Sequence, residues 1–182
     1  MQLDPNDQVI TNPNFLGKVI NATIAWLDPA DAADRVVYGI VTVGAVIAVE
    51  SANSMAPSHD IEATILVLVV YWMAHAYSAL MGHVFRTKEP WSWNLVLHAI
   101  GDESAIMRGA SLPILAMVVA LIVSGSSTTV TWSGLGMVIF LLVGMQAVAG
   151  IRASMKGFAL IGQMFIGFGF GIALILVKVL LG

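Results

Sequence analysis

Three polar side chains, Tyr71, His75 and Ser78, are spaced four and three residues apart within a strongly apolar stretch, residues 63–85. Because an α-helix completes a turn every 3.6 residues, this spacing places them on one face. An ionisable residue near the middle of a bilayer marks, by default, an ion or proton path. Histidine also changes charge near physiological pH, as a proton relay requires. These three residues form the candidate intramembrane polar site.

A purely structural role for His75 is the alternative interpretation. A neutral imidazole that bonds to a neighbouring helix acts as packing glue and contributes roughly 0.6–2 kcal/mol. A single histidine is not a pathway by itself, so the sequence leaves both interpretations open.

Two amides and a set of glycines indicate close helix packing near the C-terminus. Gln146 and Gln163 flank the linker between the last two predicted spans at similar depth, and we expect their amides to bond each other. Gly167 and Gly171 continue the four-residue spacing from Gln163, and such small-residue seams let helix backbones approach. A second small-residue face follows on the same helix, formed by Gly162, Gly169 and Ala173. We therefore expect this helix to contact protein on two sides.

Charged residues mark the rim opposite the basic loops. Glu50 lies near the end of the first predicted span, Glu62 opens the second and Lys178 closes the last. An ion pair between Glu50 and Lys178 is one interpretation. The other is an acidic vestibule that collects protons or cations, to which Asp60 would contribute.

The composition identifies the protein class. Of the 182 residues, 58% are hydrophobic and 10% are charged, with a mean hydropathy of +0.89, whereas soluble domains carry about 25% charged residues. An all-α membrane protein follows from these values. The net charge of −3 leaves no basic surface for nucleic acid. The expected partners are membrane lipids and other integral membrane subunits or a second copy of this chain.

The apolar stretches predict five transmembrane helices in one membrane domain, residues 29–182. A bilayer core about 30 Å thick needs roughly 20 apolar residues per helix. The predicted spans are 29–53, 62–85, 108–125, 133–151 and 156–181. Two amphipathic helices, one within the polar N-terminal segment 1–28 and one at 91–107, are expected to lie at the cytoplasmic interface.

Basic residues predict the orientation, since Lys and Arg near span ends are retained in the cytoplasm. They cluster before the first span, between the second and third, and in the linker that contains Arg152 and Lys156. The expected arrangement has the N-terminus inside and the C-terminus outside. We therefore expect a multi-pass protein of the bacterial inner (plasma) membrane.

Neither a cofactor nor enzymatic activity is expected from the residue types. The absence of cysteine excludes thiolate metal sites and iron–sulfur clusters. A membrane haem needs two ligands from facing helices, whereas His75 and His83 share one helix. His98 and Asp102 lie one turn apart but lack a third metal ligand. The sequence therefore predicts no metal site and no catalytic group.

Two short motifs carry a resemblance. Val37-Tyr38-Gly39 and Trp72-Met73-Ala74-His75-Ala76-Tyr77 resemble a group of small, uncharacterised integral membrane proteins of actinobacteria. In size and in its interfacial helices the chain is also similar in type to accessory subunits of the actinobacterial cytochrome bcc–aa3 respiratory supercomplex. This resemblance implies a non-catalytic accessory or scaffolding subunit of a larger inner-membrane assembly, and a respiratory electron-transfer supercomplex is the expected one. The alternative hypothesis is a small homo-oligomeric channel or transporter that moves a proton or cation along Tyr71, His75 and Ser78.

Overall fold

The computed structural model describes residues 32–50 and 56–181. The helices of this part are α1 Ala33–Glu50, α2 Pro57–Thr87, α3 Trp93–Asp102, α4 Ser104–Ser124, α5 Ser127–Arg152 and α6 Phe158–Leu181. Four helical stretches in it are long and apolar enough to cross a membrane: Ser58–Thr87, Trp93–Ser124, Ser127–Arg152 and Phe158–Leu181. The predicted all-α, multi-pass membrane class is confirmed.

The short helix α1 forms the centre of the bundle. It contacts α2, α4, α5 and α6, and its side chains Val36, Ile40, Val43 and Ile47 are buried almost completely. These residues recur every three or four positions, so one wide face of α1 is apolar and packed. The core of the protein is therefore built around α1.

Ionised residues limit how much of α1 can lie in a bilayer. Asp34 and Arg35 stand at its start and Glu50 at its end. The uncharged stretch between them, residues 36–49, is about 21 Å long at 1.5 Å per residue, whereas the hydrocarbon core is about 30 Å thick. Residues 29–31 and 51–53 of the predicted first span, and the N-terminal segment 1–28 with its predicted amphipathic helix, lie outside the described residues.

Two glycines allow α1 and α4 to touch along their backbones. A Cβ atom placed on Gly39 would meet the backbone oxygen of Ile106, and one placed on Gly109 would meet that of Val36. Neither contact leaves room for a methyl group. The crossing of α1 and α4 therefore requires glycine on both helices.

The helix α3 packs beside the last turns of α2. Lys88, in the left-handed conformation with φ 57°, ends α2, and Ser92 caps α3 by accepting the backbone N–H of Leu95 at 3.3 Å. No residue of α3 is fully buried, and Trp93 and Leu97 are exposed. The amphipathic helix predicted at 91–107 thus corresponds to α3 together with the first turn of α4, and Glu103 separates the two.

The predicted fourth span begins six residues earlier than the sequence indicates, at Ser127 instead of 133. Gly125, with φ 61°, ends α4, so only Gly125 and Ser126 separate α4 from α5. Serine and threonine hydroxyls can bond to carbonyls of their own helix, as Ser124 Oγ does to the Ala120 oxygen at 2.8 Å. The polar residues within 127–133 belong to α5, so their composition does not prevent helix formation.

The bundle has two chemically different ends. We name the end at which α2 and α5 terminate the basic end, because it carries Arg86, Lys88, Arg152 and Lys156. The opposite end, where α2 and α5 begin, is called the far end. Every site described below is located relative to these two ends.

Candidate functional site

A buried carboxylate, Glu103, lies between α3 and α4 and is 7% exposed. Its Oε1 is 3.7 Å from Nε of Arg35, at the start of α1. Its Oε2 is 3.5 Å from Nδ1 of His75, on α2. Three segments that are distant in sequence therefore meet at one acidic group, and we name Arg35, His75 and Glu103 the charged cluster.

Arg35 links the charged cluster to the end of α3. Its Nη1 donates to the carbonyl oxygen of Asp102 at 2.5 Å. A cation near the last carbonyls of a helix is stabilising, because these carbonyls lack partners within the helix. Arg35 therefore compensates the Glu103 charge and also holds α3 at the point where the chain enters α4.

Two tyrosine rings hold the imidazole of His75. Its centroid lies 5.6 Å from that of Tyr38 on α1 and 5.2 Å from that of Tyr71 on α2, with interplanar angles of 52° and 50°. Tilted aromatic contacts in this range are attractive. They hold the plane of the imidazole between α1 and α2.

The contact between His75 and Glu103 leaves one hydrogen-bonding position open. Within the described residues, Glu103 Oε2 is buried and accepts no hydrogen bond. The 3.5 Å separation from His75 Nδ1 exceeds the usual range of 2.7–3.2 Å for N–H···O bonds. A buried carboxylate is costly unless it is fully paired. A hydrogen bond between these two atoms would complete the pairing of Glu103.

A polar cleft of about 440 Å³ connects the charged cluster with the basic end. The apolar part of its wall comes from α2 and α3. Its polar wall consists of Arg35, His83, Arg86, His98, Asp102 and Glu103. Water that enters this cleft from the basic end can therefore reach Glu103.

The charged cluster suits proton binding better than metal binding. Among the residues that the structure describes, no three His, Asp or Glu side chains are grouped as metal ligands would be. The permanently protonated guanidinium of Arg35 also opposes a bound cation beside Glu103. Within the described residues, the cluster therefore offers an ion pair and hydrogen-bonding groups but no set of metal ligands.

The structure brings together two of the three residues of the candidate polar site. Tyr71 and His75 are in ring contact, whereas Ser78 is exposed. At the level of Ser78, the buried side of α2 is formed by Ala76 and Leu80. The side of α2 that packs against the bundle at this level therefore contains Ala76 and Leu80 and does not include Ser78.

The helices α5 and α6 join through the predicted glutamine and glycine seam. Gln163 Nε2 donates to Gln146 Oε1 at 2.7 Å. A Cβ atom on Gly167 would lie 2.6 Å from the Leu142 oxygen, and one on Gly171 would lie 2.6 Å from Ile139 Cγ1. The seam therefore fills the contact between α5 and α6 and adds no ligand-accessible group.

The far end contains the three predicted rim residues. Glu50 is the last residue of α1, and Glu62 is exposed in the first turns of α2. Lys178 lies over the ring of Trp132, with Nζ 5.7 Å from the centroid. This cation–π contact connects the end of α6 to α5.

Sequence reasoning misses Glu103 and Tyr38 as site residues and uses Arg35 only for orientation. Glu103 adjoins Asp102 in a segment predicted to be interfacial, so its burial has no local signature. Arg35 resembles any basic residue at the start of a span. Only the packing of α1 and α4 against α2 brings these groups to His75.

Comparison with protein-family models, with curated proteins and with solved structures finds no match for this chain.

Proposed function

We propose that this chain is a small multi-pass membrane protein that transfers protons, with the charged cluster as its proton-binding site. The observation that carries the proposal is the buried Glu103 carboxylate, which is paired with Arg35 and lies 3.5 Å from His75. His75 lies within the apolar stretch of α2, where an ionisable side chain is costly and by default marks an ion or proton path. The polar cleft supplies the aqueous access that such a site needs.

The proposed cycle is defined by the charge that each group of the cluster carries. In the resting state Arg35 and Glu103 carry opposite charges and His75 is neutral, so the cluster has no net charge. A proton from water in the cleft binds to Glu103, which lines the cleft, and the cluster gains one positive charge. When Oε2 and Nδ1 approach to hydrogen-bond distance, this proton can pass to His75. Arg35 stays protonated throughout and stabilises the ionised form of Glu103.

The proposal includes a topology with five spans. The helix α1 is the additional span at the centre of the bundle, surrounded by protein on several sides, so its short apolar stretch meets little lipid. Following the positive-inside rule, the basic end and the N-terminus face the cytoplasm and the C-terminus faces outward. The cleft then opens towards the cytoplasm of a bacterial cell.

Replacing His75 by Gln removes the titrating group while an amide of similar reach remains. The purified protein is reconstituted into liposomes, a potassium-diffusion potential drives protons inward, and a trapped dye measures internal pH. We expect proton flux in the wild type and a decrease of about 100-fold in His75→Gln, because proton transfer through a positioned side chain contributes about 10²–10⁴-fold. Glu103→Gln is expected to have an effect of the same order.

Matched controls lie on the same helix. His59→Gln and Glu62→Gln change an exposed histidine and an exposed carboxylate, and both variants are expected to retain wild-type flux. Equal flux in wild-type and protein-free liposomes would refute the proposal. Normal flux in both His75→Gln and Glu103→Gln would also refute it.

A specific feature of α6 supports a second candidate function, that of an accessory or scaffolding subunit in a larger membrane assembly. Within the described part of the chain, a Cβ atom on Gly162 or Gly169 would meet no atom of another helix within 4 Å, in contrast to Gly167 and Gly171. Together with exposed Ala173 they form an open small-residue face, which another helix can approach closely. The respiratory supercomplex implied by the resemblance is the first assembly to examine.

Native extraction tests this second function. We expect tagged wild-type protein to copurify with other membrane subunits, and a respiratory assembly would add haem absorption bands. The double variant Gly162→Leu/Gly169→Leu is expected to lose these partners, because two leucines block close helix approach. The control Ile161→Leu changes an exposed residue on a different face and is expected to retain them. Purification of the wild type without any partner would exclude the accessory role.

A further inference from the structure

A second buried carboxylate, Asp60, lies at the far end of the bundle. It is 2% exposed and belongs to the first turn of α2. Its Oδ2 accepts a hydrogen bond from Ser127 Oγ, at the start of α5, at 3.3 Å. Its Oδ1 is buried and has no hydrogen-bond partner in the described part of the chain.

Among the residues that the structure describes, no charged side chain forms an ion pair with Asp60. Its neighbours on α2, His59 and Glu62, are exposed. On the other elements of the far end, Glu50 ends α1 and Lys178 lies over Trp132. The ion pairs Arg35–Glu103, His75–Glu103 and His83–Glu89 lie at or near the basic end, and none of them involves Asp60.

A proton is the smallest species that can compensate the charge of the buried Asp60 carboxylate. Burial of an ionised carboxylate without a countercharge is unfavourable. The helix dipole of α2 and the hydroxyl of Ser127 compensate part of this charge. Thr64 is also buried, but its hydroxyl donates to the Asp60 backbone oxygen at 2.6 Å and not to the carboxylate. Transfer of a proton from hydronium to Oδ1 forms a neutral carboxylic acid and water, which removes the uncompensated charge.

Asp60 shares one stripe of α2 with the charged cluster. Asp60, Thr64, Leu68, Tyr71 and His75 follow at intervals of three or four residues, so they lie along one side of the helix. At 1.5 Å per residue, Asp60 and His75 are about 22 Å apart along the axis. Leu68, between them, is buried and apolar.

We infer that Asp60 is the proton-binding group of the far end, and that Leu68 and Tyr71 form the barrier between it and His75. This inference rests on the proposed function, since it assigns the second end of the proton path. Protons bind at Asp60 from one side and at the charged cluster from the other. The apolar contact of buried Leu68 with the bundle, between the two sites, prevents continuous leakage of water or ions.

Substitution of Asp60 tests the inference in the liposome assay. We expect Asp60→Asn, which keeps the size and polarity of the side chain, to lower proton flux about tenfold or more. The control Glu62→Gln, two residues away and exposed, is expected to leave the flux unchanged. Asp60→Glu, which keeps a carboxyl group, is expected to retain measurable flux and shows that a loss in Asp60→Asn is not a folding defect. Wild-type flux in Asp60→Asn would overturn the inference.

An infrared measurement separates this inference from the proposed function. Membranes that contain the protein are compared at neutral and acidic pH, and the C=O band of a newly protonated carboxylic acid is recorded. We expect a component of this band to disappear in Asp60→Asn and to persist in Glu62→Gln. If the wild type shows this component but no flux, the proposed function fails while Asp60 remains a proton-binding group. Sodium uptake driven by the same potassium-diffusion potential, without a change of internal pH, would overturn the assignment of the proton.

Discussion

Replacing Glu103 by Leu is expected to destabilise the protein by about 3 kcal/mol, because it leaves the positive charge of Arg35 without its partner. Breaking a buried ion pair at one side typically costs about 3–5 kcal/mol. The side chain of Arg35 is 29% exposed and the side chain of Glu103 is 9% exposed. Water can therefore partly solvate Arg35, and the lower end of this range applies. The free energy of unfolding in detergent measures the effect.

A double variant separates the structural role of Glu103 from its role in proton transfer. In Arg35→Met/Glu103→Leu the remaining guanidinium charge is also removed, and replacing an ion pair by apolar residues of similar volume is often neutral. We therefore expect this variant to regain most of the lost stability but no proton flux. If stability does not return, the loss in Glu103→Leu does not arise from the unpaired Arg35 charge. If flux returns, Glu103 is not the proton-binding group.

The second large effect concerns the crossing of α1 and α4. Gly109→Val and Gly39→Val are each expected to destabilise the protein by about 3 kcal/mol, the upper end of the usual range for overpacking. The added atoms would meet backbone atoms of Val36 or Ile106, which cannot rotate away as a side chain can. The helices must therefore separate along the core of the bundle. Unfolding free energy and the yield of monodisperse protein measure this effect.

Glycines in open positions provide the control for this experiment. Within the described residues, a Cβ atom on Gly144 of α5 would meet no atom of a neighbouring helix within 4 Å. Gly144→Ala is expected to maintain or raise stability, since alanine is favoured over glycine in a helix by about 0.5–1 kcal/mol. The double variant at positions 39 and 109 is expected to lose less than the sum of the single effects, because the first substitution already separates the helices. Wild-type stability in Gly109→Val would show that this contact is not essential.

The charged cluster and the glycine crossing depend on each other. Gly39 and Gly109 bring α1 against α4, and the same contact places Arg35 beside Glu103. A substitution at the crossing is therefore expected to reduce proton flux as well, even though neither glycine belongs to the charged cluster. Because of this coupling, a variant that loses proton flux is also tested for its free energy of unfolding.

The sequence by itself determines the class of the protein and part of its site. The low charge content and the long apolar stretches predict a multi-pass helical membrane protein, because a bilayer imposes the same constraint on any such chain. Helical spacing is also sufficient to place Tyr71 near His75, since residues four apart on one helix are neighbours whatever surrounds them. The bond between Gln146 and Gln163 was expected on similar grounds, because a short linker keeps the two helices adjacent.

Only the tertiary structure determines which groups from other helices contact His75. Ser78 satisfies the same spacing rule and is nevertheless exposed, because the neighbours of α2 change along its length. Glu103 and Asp60 look like ordinary surface carboxylates in the sequence, and only the packing of other helices buries them. Helical periodicity is a local property of the chain, whereas burial and charge partners depend on contacts between helices that are distant in sequence.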